Sequence, residues 1–257
     1  MSHLILSDQR RIWRKKPVLQ YIYRDFYSRI LRYASAGLTL EIGGGSGNLK
    51  EFLPNVISTD LVPSPWLDAA ADAQRLPFLD KCLDNIVCVD VLHHIESPVR
   101  FLRESSRILK PGGKLLMVEP AITPISWLCY RCFHPEPVKM GADPLCEVTP
   151  DSARVPFDAN QAIPTLLFGK YRRQLEDEFP EFKIEVIQLF SLFAYPLSGG
   201  FRNWCLIPAG VVKSLLVLEE WMSRLLGPLM AFRIFVVLEK RVSDSQPHLN
   251  TSESRHV

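Results

Sequence analysis

Apolar positions along this chain switch between two spacings, one helical and one extended. Ile22, Phe26, Ile30 and Tyr33 recur every three to four residues, which predicts an amphipathic helix over about 20–35. Residues 38–42 then form a short, nearly continuous apolar run, and 55–59, 85–90 and 114–119 repeat that pattern as strands. A helix is expected over 47–53, between the first two strands. Before the last strand, Ser97 can cap a helix that Pro98 opens, with Phe101, Leu102, Ile108 and Leu109 as its buried stripe and Lys110-Pro111-Gly112-Gly113 as its stop. Strands and helices in this alternation predict βαβ units, right-handed crossovers and a mostly parallel sheet, an α/β fold.

The rhythm breaks after Glu119. Residues 121–165 are proline-rich, aromatic and without clear period, too apolar to stay solvated, which predicts an irregular insertion over the site. A helix at about 165–178, a strand at 182–190, a turn at 196–200, an apolar helix at 209–226 and a last strand at 230–240 follow. The expected organisation is one domain over 1–240, with a core of 36–120 and 181–240. Insertions at 121–180 and 191–230 would form a lid, and a polar, disordered tail would occupy 241–257. Phe190, Phe193, Tyr195, Phe201, Trp204, Leu215, Leu216 and Trp221 would give that lid an apolar inner face. Five basic side chains between Arg10 and Lys16 make the first sixteen residues read as a mobile, solvated arm.

Composition narrows the partners. A net charge of +2 is too small for a nucleic-acid surface, so a small molecule is the expected partner. The start shows no secretory leader, and no run of about 18 uncharged apolar residues occurs, because Lys213, Glu219, Glu220, Arg224 and Arg233 interrupt the 205–238 region. A cytoplasmic location is expected, with contact to a membrane surface open to the apolar second half. Six cysteines without a leader read as reduced thiols. Cys129, Cys132, His134 and Cys146 have some character of a zinc set, but their apolar surroundings favour packed thiols, and no metal is expected.

The chemistry gathers at strand ends. Leu38 to Gly47 read as a strand running into a glycine-rich turn, with Glu41 two residues before Gly43, and Gly45 and Gly47 following. Missing Cβ atoms let a ligand approach the backbone, and the acid suits a cationic, hydroxyl-rich one. Asn48 stands where a dinucleotide fingerprint wants its third glycine, which opposes a nicotinamide-dependent oxidoreductase. Asp60, Asp90 and Glu119 close three further strands.

Acid-x-Gly-x-Gly-x-Gly at 41–47 resembles the first motif of class I S-adenosylmethionine-dependent methyltransferases. The resemblance extends in order through Asp60, Asp72-Ala73 with Leu76-Pro77-Phe78, Asp90-Val-Leu-His-His-Ile95 and Arg107-Ile-Leu-Lys-Pro-Gly-Gly113, covering about 38–120. It implies a Rossmann-like seven-stranded sheet, mostly parallel with one antiparallel edge strand, and S-adenosylmethionine as cofactor. It also implies cofactor-binding roles for Glu41, Gly43, Gly45, Gly47, Asp60 at the ribose, Asp72 and Ala73 at the adenine, and Asp90 beside the methionine part.

Such a protein aligns a nucleophile with the sulfonium methyl and excludes water. His93 and His94 are the candidate catalytic bases, with Glu119, Tyr130 and His134 behind them. The expected acceptor is small, apolar or lipid-like, methylated at O, N or C. A scaffold that keeps the cofactor without turnover is the rival reading.

Overall fold

The computed structural model describes residues 2–148, 155 and 157–242. Its strands are β1 Thr39–Ile42, β2 Val56–Asp60, β3 Ala69–Ala70, β4 Leu83–Val89, β5 Leu109–Pro120, β6 Phe182–Phe190 and β7 Arg233–Lys240. They form one seven-stranded sheet in the order β3-β2-β1-β4-β5-β7-β6. β1 runs parallel to β2 and β4, and β4 parallel to β5, whereas β7 is antiparallel to both β5 and β6. The expected mostly parallel sheet with one antiparallel strand is present. That strand, β7, lies one place in from the edge, between β5 and β6.

The sheet is covered on both faces, which is why β1 and β4 read as apolar runs rather than alternating ones. On β5, Leu115 and Met117 face a core that includes Phe101, Ile108, Leu167 and Phe179. Leu116 and Val118 face the opposite core, with Ile22, Phe26 and Ile30. The first layer holds α3 Pro98–Ile108, α5 Ile163–Thr165 and α6 Arg172–Glu178, and the second α1 Ser2–Lys15 and α2 Pro17–Tyr33. α4 Pro124–Phe133, α7 Ala194–Ser198 and α8 Val212–Met230 complete the fold. Ser97 caps α3 as expected, its hydroxyl accepting the Arg100 N–H at 3.5 Å.

Three local expectations are corrected. Residues 2–15 are helix α1 rather than a solvated arm, because Leu6, Ile12 and Trp13 make an apolar stripe inside the basic run and are buried. The helix expected over 47–53 shrinks to a 3-10 turn, Leu49–Glu51. Gly47 at φ 73° cannot belong to a helix, and Pro54 disfavours helical backbone at Leu53, so little room is left between them. The insertion after β5 is more regular than expected: Thr123 and Ser126 form a capping box that starts α4. The expected tail falls outside the described residues from 243 on.

Candidate active site

Strand order reverses between β1 and β4, where β1 leads outward through β2 to β3 and β4 leads the other way, so a crevice opens at the carboxyl ends of these strands. The loop after β1 enters it. Gly43, Gly45 and Gly47 take φ values of 68°, 47° and 73°, a region costly for side chains with a Cβ, so the three glycines set the path of the turn. Gly44 is fixed by close approach instead: a Cβ there would stand 2.4 Å from Ser58 Oγ. Its N–H donates to the Thr59 carbonyl at 2.8 Å, tying the loop to β2.

Below this loop Glu41 is buried and accepts the Ser58 hydroxyl. Burial pushes its carboxyl up to about 7, with the Ser58 hydrogen bond and the Lys50 charge opposing. Asp60, at the end of β2, accepts the Gly45 N–H at 3.0 Å through Oδ2 and the Val62 N–H at 2.9 Å through Oδ1. Burial raises its pKa while those backbone donors act against the rise. Asp72 is exposed and accepts the Gln74 N–H at 2.9 Å, while Ala73 beside it is buried.

Helix α1 lies over the glycine loop. Arg10 donates to the Ser46 carbonyl at 2.8 Å and stacks on Trp66, 4.6 Å from the ring centre. Trp66 in turn donates its indole N–H to the Gly45 carbonyl at 2.8 Å.

At the end of β4, Asp90 adopts φ 59° and is held by Arg233, buried at the start of β7, and by the Tyr23 hydroxyl at 3.3 Å. Burial raises the Asp90 pKa and Arg233 opposes the rise. His93 follows on the 3-10 turn Leu92–His94. Its Nδ1 lies 2.7 Å from Glu119 Oε2, and its Nε2 lies 3.6 Å from Glu136 Oε2. Burial works against the charged imidazole, but the hydrogen bonds to Glu119 and Glu136 prevail and lift its pKa to about 9. Burial would raise Glu136, yet His93 brings it down to about 2. His94, its ring centre 4.2 Å from that of His93, is lowered to about 4 by burial and by the charge of His93. At neutral pH His93 therefore carries its second proton and His94 does not.

One cavity of about 1100 Å3 brings most of these residues together. Glu41, Gly43, Gly45, Asp60, Asp72, Ala73, Asp90, His93 and His94 line it, as do Tyr23, Tyr27, Tyr130 and His134. Gly47 does not: it sits behind the loop, where a Cβ would come 2.8 Å from Trp66. Tyr130 spends its hydroxyl proton on the Phe232 carbonyl at 3.1 Å. Of the apolar residues expected on a lid, Tyr195, Phe201 and Trp204 line the cavity, and Phe190, Leu215 and Leu216 pack in the core behind it. Trp221 points outward and is 74% exposed.

Glu136, Arg233, Gly44 and Trp66 are site residues that sequence reasoning missed. Two signals were available: an acid fixed between Pro135 and Pro137, and a charge opening the apolar run 234–238 of the final strand. All six cysteines are free. Donor atoms of His93, His94 and Glu136 lie within 4.8 Å of one another, and in this conformation they make an acid–base cluster in which His93 and Glu136 form an ion pair at 3.6 Å. A tetrahedral ion with bonds of about 2.1 Å would need its ligand atoms nearer to about 3.4 Å apart.

Residues 40–117 match a family described as a methyltransferase domain. The ubiquinone/menaquinone biosynthesis C-methyltransferase UbiE of Bordetella avium is 43% identical over 51 residues, 20% of each chain. A demethylmenaquinone methyltransferase of Streptomyces griseus is 33% identical over 73 residues, 28% of this chain and 31% of that one. The chain spans between 20% and 52% of the length of curated relatives it matches. A solved S-adenosylmethionine-dependent methyltransferase of Thermotoga maritima superposes with a TM-score of 0.56 at 16% identity, covering 94% of this chain and all of that one, a likeness of fold. With the seven-stranded sheet, the glycine loop and the acids at its strand ends, these matches identify residues 40–117 as methyltransferase-domain sequence in a chain whose fold is that of a solved S-adenosylmethionine-dependent methyltransferase.

Proposed function

We propose that this protein transfers a methyl group from S-adenosylmethionine to a small, apolar or lipid-like acceptor. The cavity carries the reading. At about 1100 Å3 it exceeds the roughly 300–1,000 Å3 of a site for one drug-sized ligand, so cofactor and acceptor have room side by side. One part of its wall is the glycine loop with Asp60 and Asp72. Another is apolar, with Phe133, Leu197, Phe201 and Phe232. A scaffold with a plugged acceptor site is disfavoured by that open volume.

The residues fit the cofactor. A Cβ at Gly45 would meet nothing nearer than 3.8 Å, which leaves space in front of the loop for a ligand against the backbone. Asp60 is held by the Gly45 and Val62 N–H groups, one on each oxygen, and by the Leu61 N–H, which orients its carboxylate at the end of β2 with acceptor capacity left for a ribose hydroxyl. Asp72 and the Ala73 N–H would take the adenine edge, while Glu41 and Asp90 supply negative charge toward the methionine part. Gly43, Gly45 and Gly47 shape the loop that meets it. When bound, the cofactor supplies a methyl group already activated on sulfur. The protein's work is then to orient the acceptor, hold its proton and keep water out.

Proton handling falls to the His93 cluster. Glu119, fully buried, holds His93 from one side and also accepts the Val91 and Leu92 N–H groups at 2.8 Å. Charged His93 orients Glu136, whose carboxylate lines the cavity and can accept a hydrogen bond from an acceptor hydroxyl or amine. His94, neutral at pH 7, is the free-base imidazole of the pair. Within the insertions 121–180 and 191–230, α4, α7 and the loop after α7 act as the lid by supplying the apolar wall, while α5 and α6 pack on the sheet. The names of two relatives, both of quinone biosynthesis, agree with an apolar acceptor.

The test is transfer of label from methyl-labelled S-adenosylmethionine to paired acceptors, phenols and quinols with and without long alkyl chains. Transfer favouring the alkylated members is expected. Transfer only to polar acceptors would overturn the acceptor class, and cofactor binding with no transfer to any acceptor would favour the scaffold.

A further inference from the structure

Helices α4 and α8 are built inside out. The fully buried positions of α8 are Val212, Glu219, Ser223 and Gly227, whereas Val217, Leu218, Trp221 and Leu225 face outward. Leu225 is 83% exposed. Both acids of α8 are engaged: Glu219, buried, accepts the Phe193 and Ala194 N–H groups, and Glu220, its side chain part exposed, pairs with buried Arg29. α4, which packs on α8, repeats the inversion, burying Ser126 and Tyr130 and exposing Trp127 and Leu128. An amphipathic helix in water turns its apolar stripe inward, so two adjacent helices that do the reverse mark a face covered by something apolar.

The charges on that face select what covers it. The outward charged residues of the two helices are Lys213, Arg224 and Arg131, all cations. Arg131 stacks on Trp127, 5.0 Å from the ring centre, as an interfacial Trp–Arg pair would. The face is also continuous with the cavity mouth: α4 ends in Phe133, which is 74% exposed and lines the cavity, and exposed Arg202 donates to the Phe133 carbonyl at 2.9 Å. Trp and Leu on an outward apolar face with three outward cations, and with the part-exposed acid Glu220 neutralised by Arg29, match an anionic lipid surface. No helix among the described residues is long and apolar enough to cross a membrane, so such contact lies in the plane of the interface.

We propose that the outward faces of α4 and α8 dock this protein on an anionic membrane, with Trp221, Leu225 and Trp127 in the interface and Lys213, Arg224 and Arg131 at the headgroups. Such docking deepens the reading of an apolar acceptor, because it presents the Phe133 rim of the cavity to the lipid from which that acceptor would enter.

The experiment is co-sedimentation with vesicles of phosphatidylcholine, with or without one quarter phosphatidylglycerol, for the native protein and the Trp221→Glu/Leu225→Glu variant. A thermal shift with S-adenosylhomocysteine, run in parallel, reports folding and cofactor binding separately. Native protein is expected to sediment at least five-fold more with the anionic vesicles and to lose most of that binding in 0.5 M salt. The variant should stay in the supernatant while keeping its thermal shift, and Lys213→Glu/Arg224→Glu should lose the preference for anionic lipid. No binding to anionic vesicles, or equal binding by native protein and folded variant, overturns the proposal. So does a native dimer that the variant converts to monomer, without vesicle binding, because a second copy of the chain would then be the cover. Loss of the thermal shift in the native protein would count against the cofactor reading and leave the vesicle result to be judged by itself.

Discussion

Glu41→Gln isolates the most unusual charge in the site. The Glu41 carboxyl is raised from an ordinary 4.5 to about 7 because it is buried under the glycine loop. The folded protein therefore binds this proton more tightly than the unfolded chain does. Stability falls as pH rises from about 4.5, and the loss levels off above about 7. A shift of about 2.5 units at about 1.36 kcal/mol each gives a full penalty of about 3 kcal/mol, of which about 2 to 3 kcal/mol develops between pH 5 and pH 8. Gln is neutral at both pH values and keeps an amide oxygen for the Ser58 hydroxyl. Urea unfolding of native protein and variant at pH 5 and pH 8 measures the difference of differences, in which the other titrating groups cancel. The native protein should lose about 2 to 3 kcal/mol more than the variant across that range. The cofactor makes the same case from the other side: a cation near Glu41 favours the ionised form, so affinity for S-adenosylmethionine should tighten as pH rises through 7 in native protein and stay flat in the variant. Equal pH dependence of stability in the two proteins would refute the assignment of a charge penalty to Glu41.

Two further predictions concern neighbouring groups. Imidazole NMR titration should give His93 a pKa near 9 and His94 one near 4, and Glu136→Gln should move His93 downward; two histidines both titrating near 6.5 would contradict the ion-pair cluster. Because the His93 value is raised, its stabilising effect is complete below about 6.5 and disappears as pH rises through about 9. Arg233→Met leaves Asp90 without its buried partner and should cost about 3 kcal/mol in chemical unfolding, with part of the loss recovered by Asp90→Asn, whereas a cost under about 1 kcal/mol would mean that water already solvates Asp90.

The cofactor half of the molecule was legible because its signals are local. Glycines at 43, 45 and 47 need no partner to declare a left-handed turn, and buried parallel strands show as apolar runs. Asp60 and Asp90 were found because they close those strands, and Asp72 because Asp72-Ala73 with Leu76-Pro77-Phe78 resembles the adenine segment of the family. Residues whose meaning depends on distant neighbours were not legible. Arg10, Arg11, Arg14 and Lys15 concealed the stripe of Leu6 and Trp13, so α1 read as an arm although it covers the glycine loop. Glu136 gains its role only when the insertion folds back and places it 3.6 Å from His93. Arg233 gains its own only when β7 pairs with β5 and brings its guanidinium to Asp90. Trp221 was misassigned to the inner face because α8 inverts the usual amphipathic rule, turning Glu219 inward and its apolar stripe out.

Calorimetric titration with S-adenosylmethionine and S-adenosylhomocysteine bears most directly on the central claim. Native protein should bind one equivalent of each with a dissociation constant below about 100 μM, and Asp60→Ala should weaken binding by about 1 to 3 kcal/mol, roughly 5- to 150-fold. No heat of binding at millimolar ligand from folded protein, or full affinity in Asp60→Ala, would contradict it.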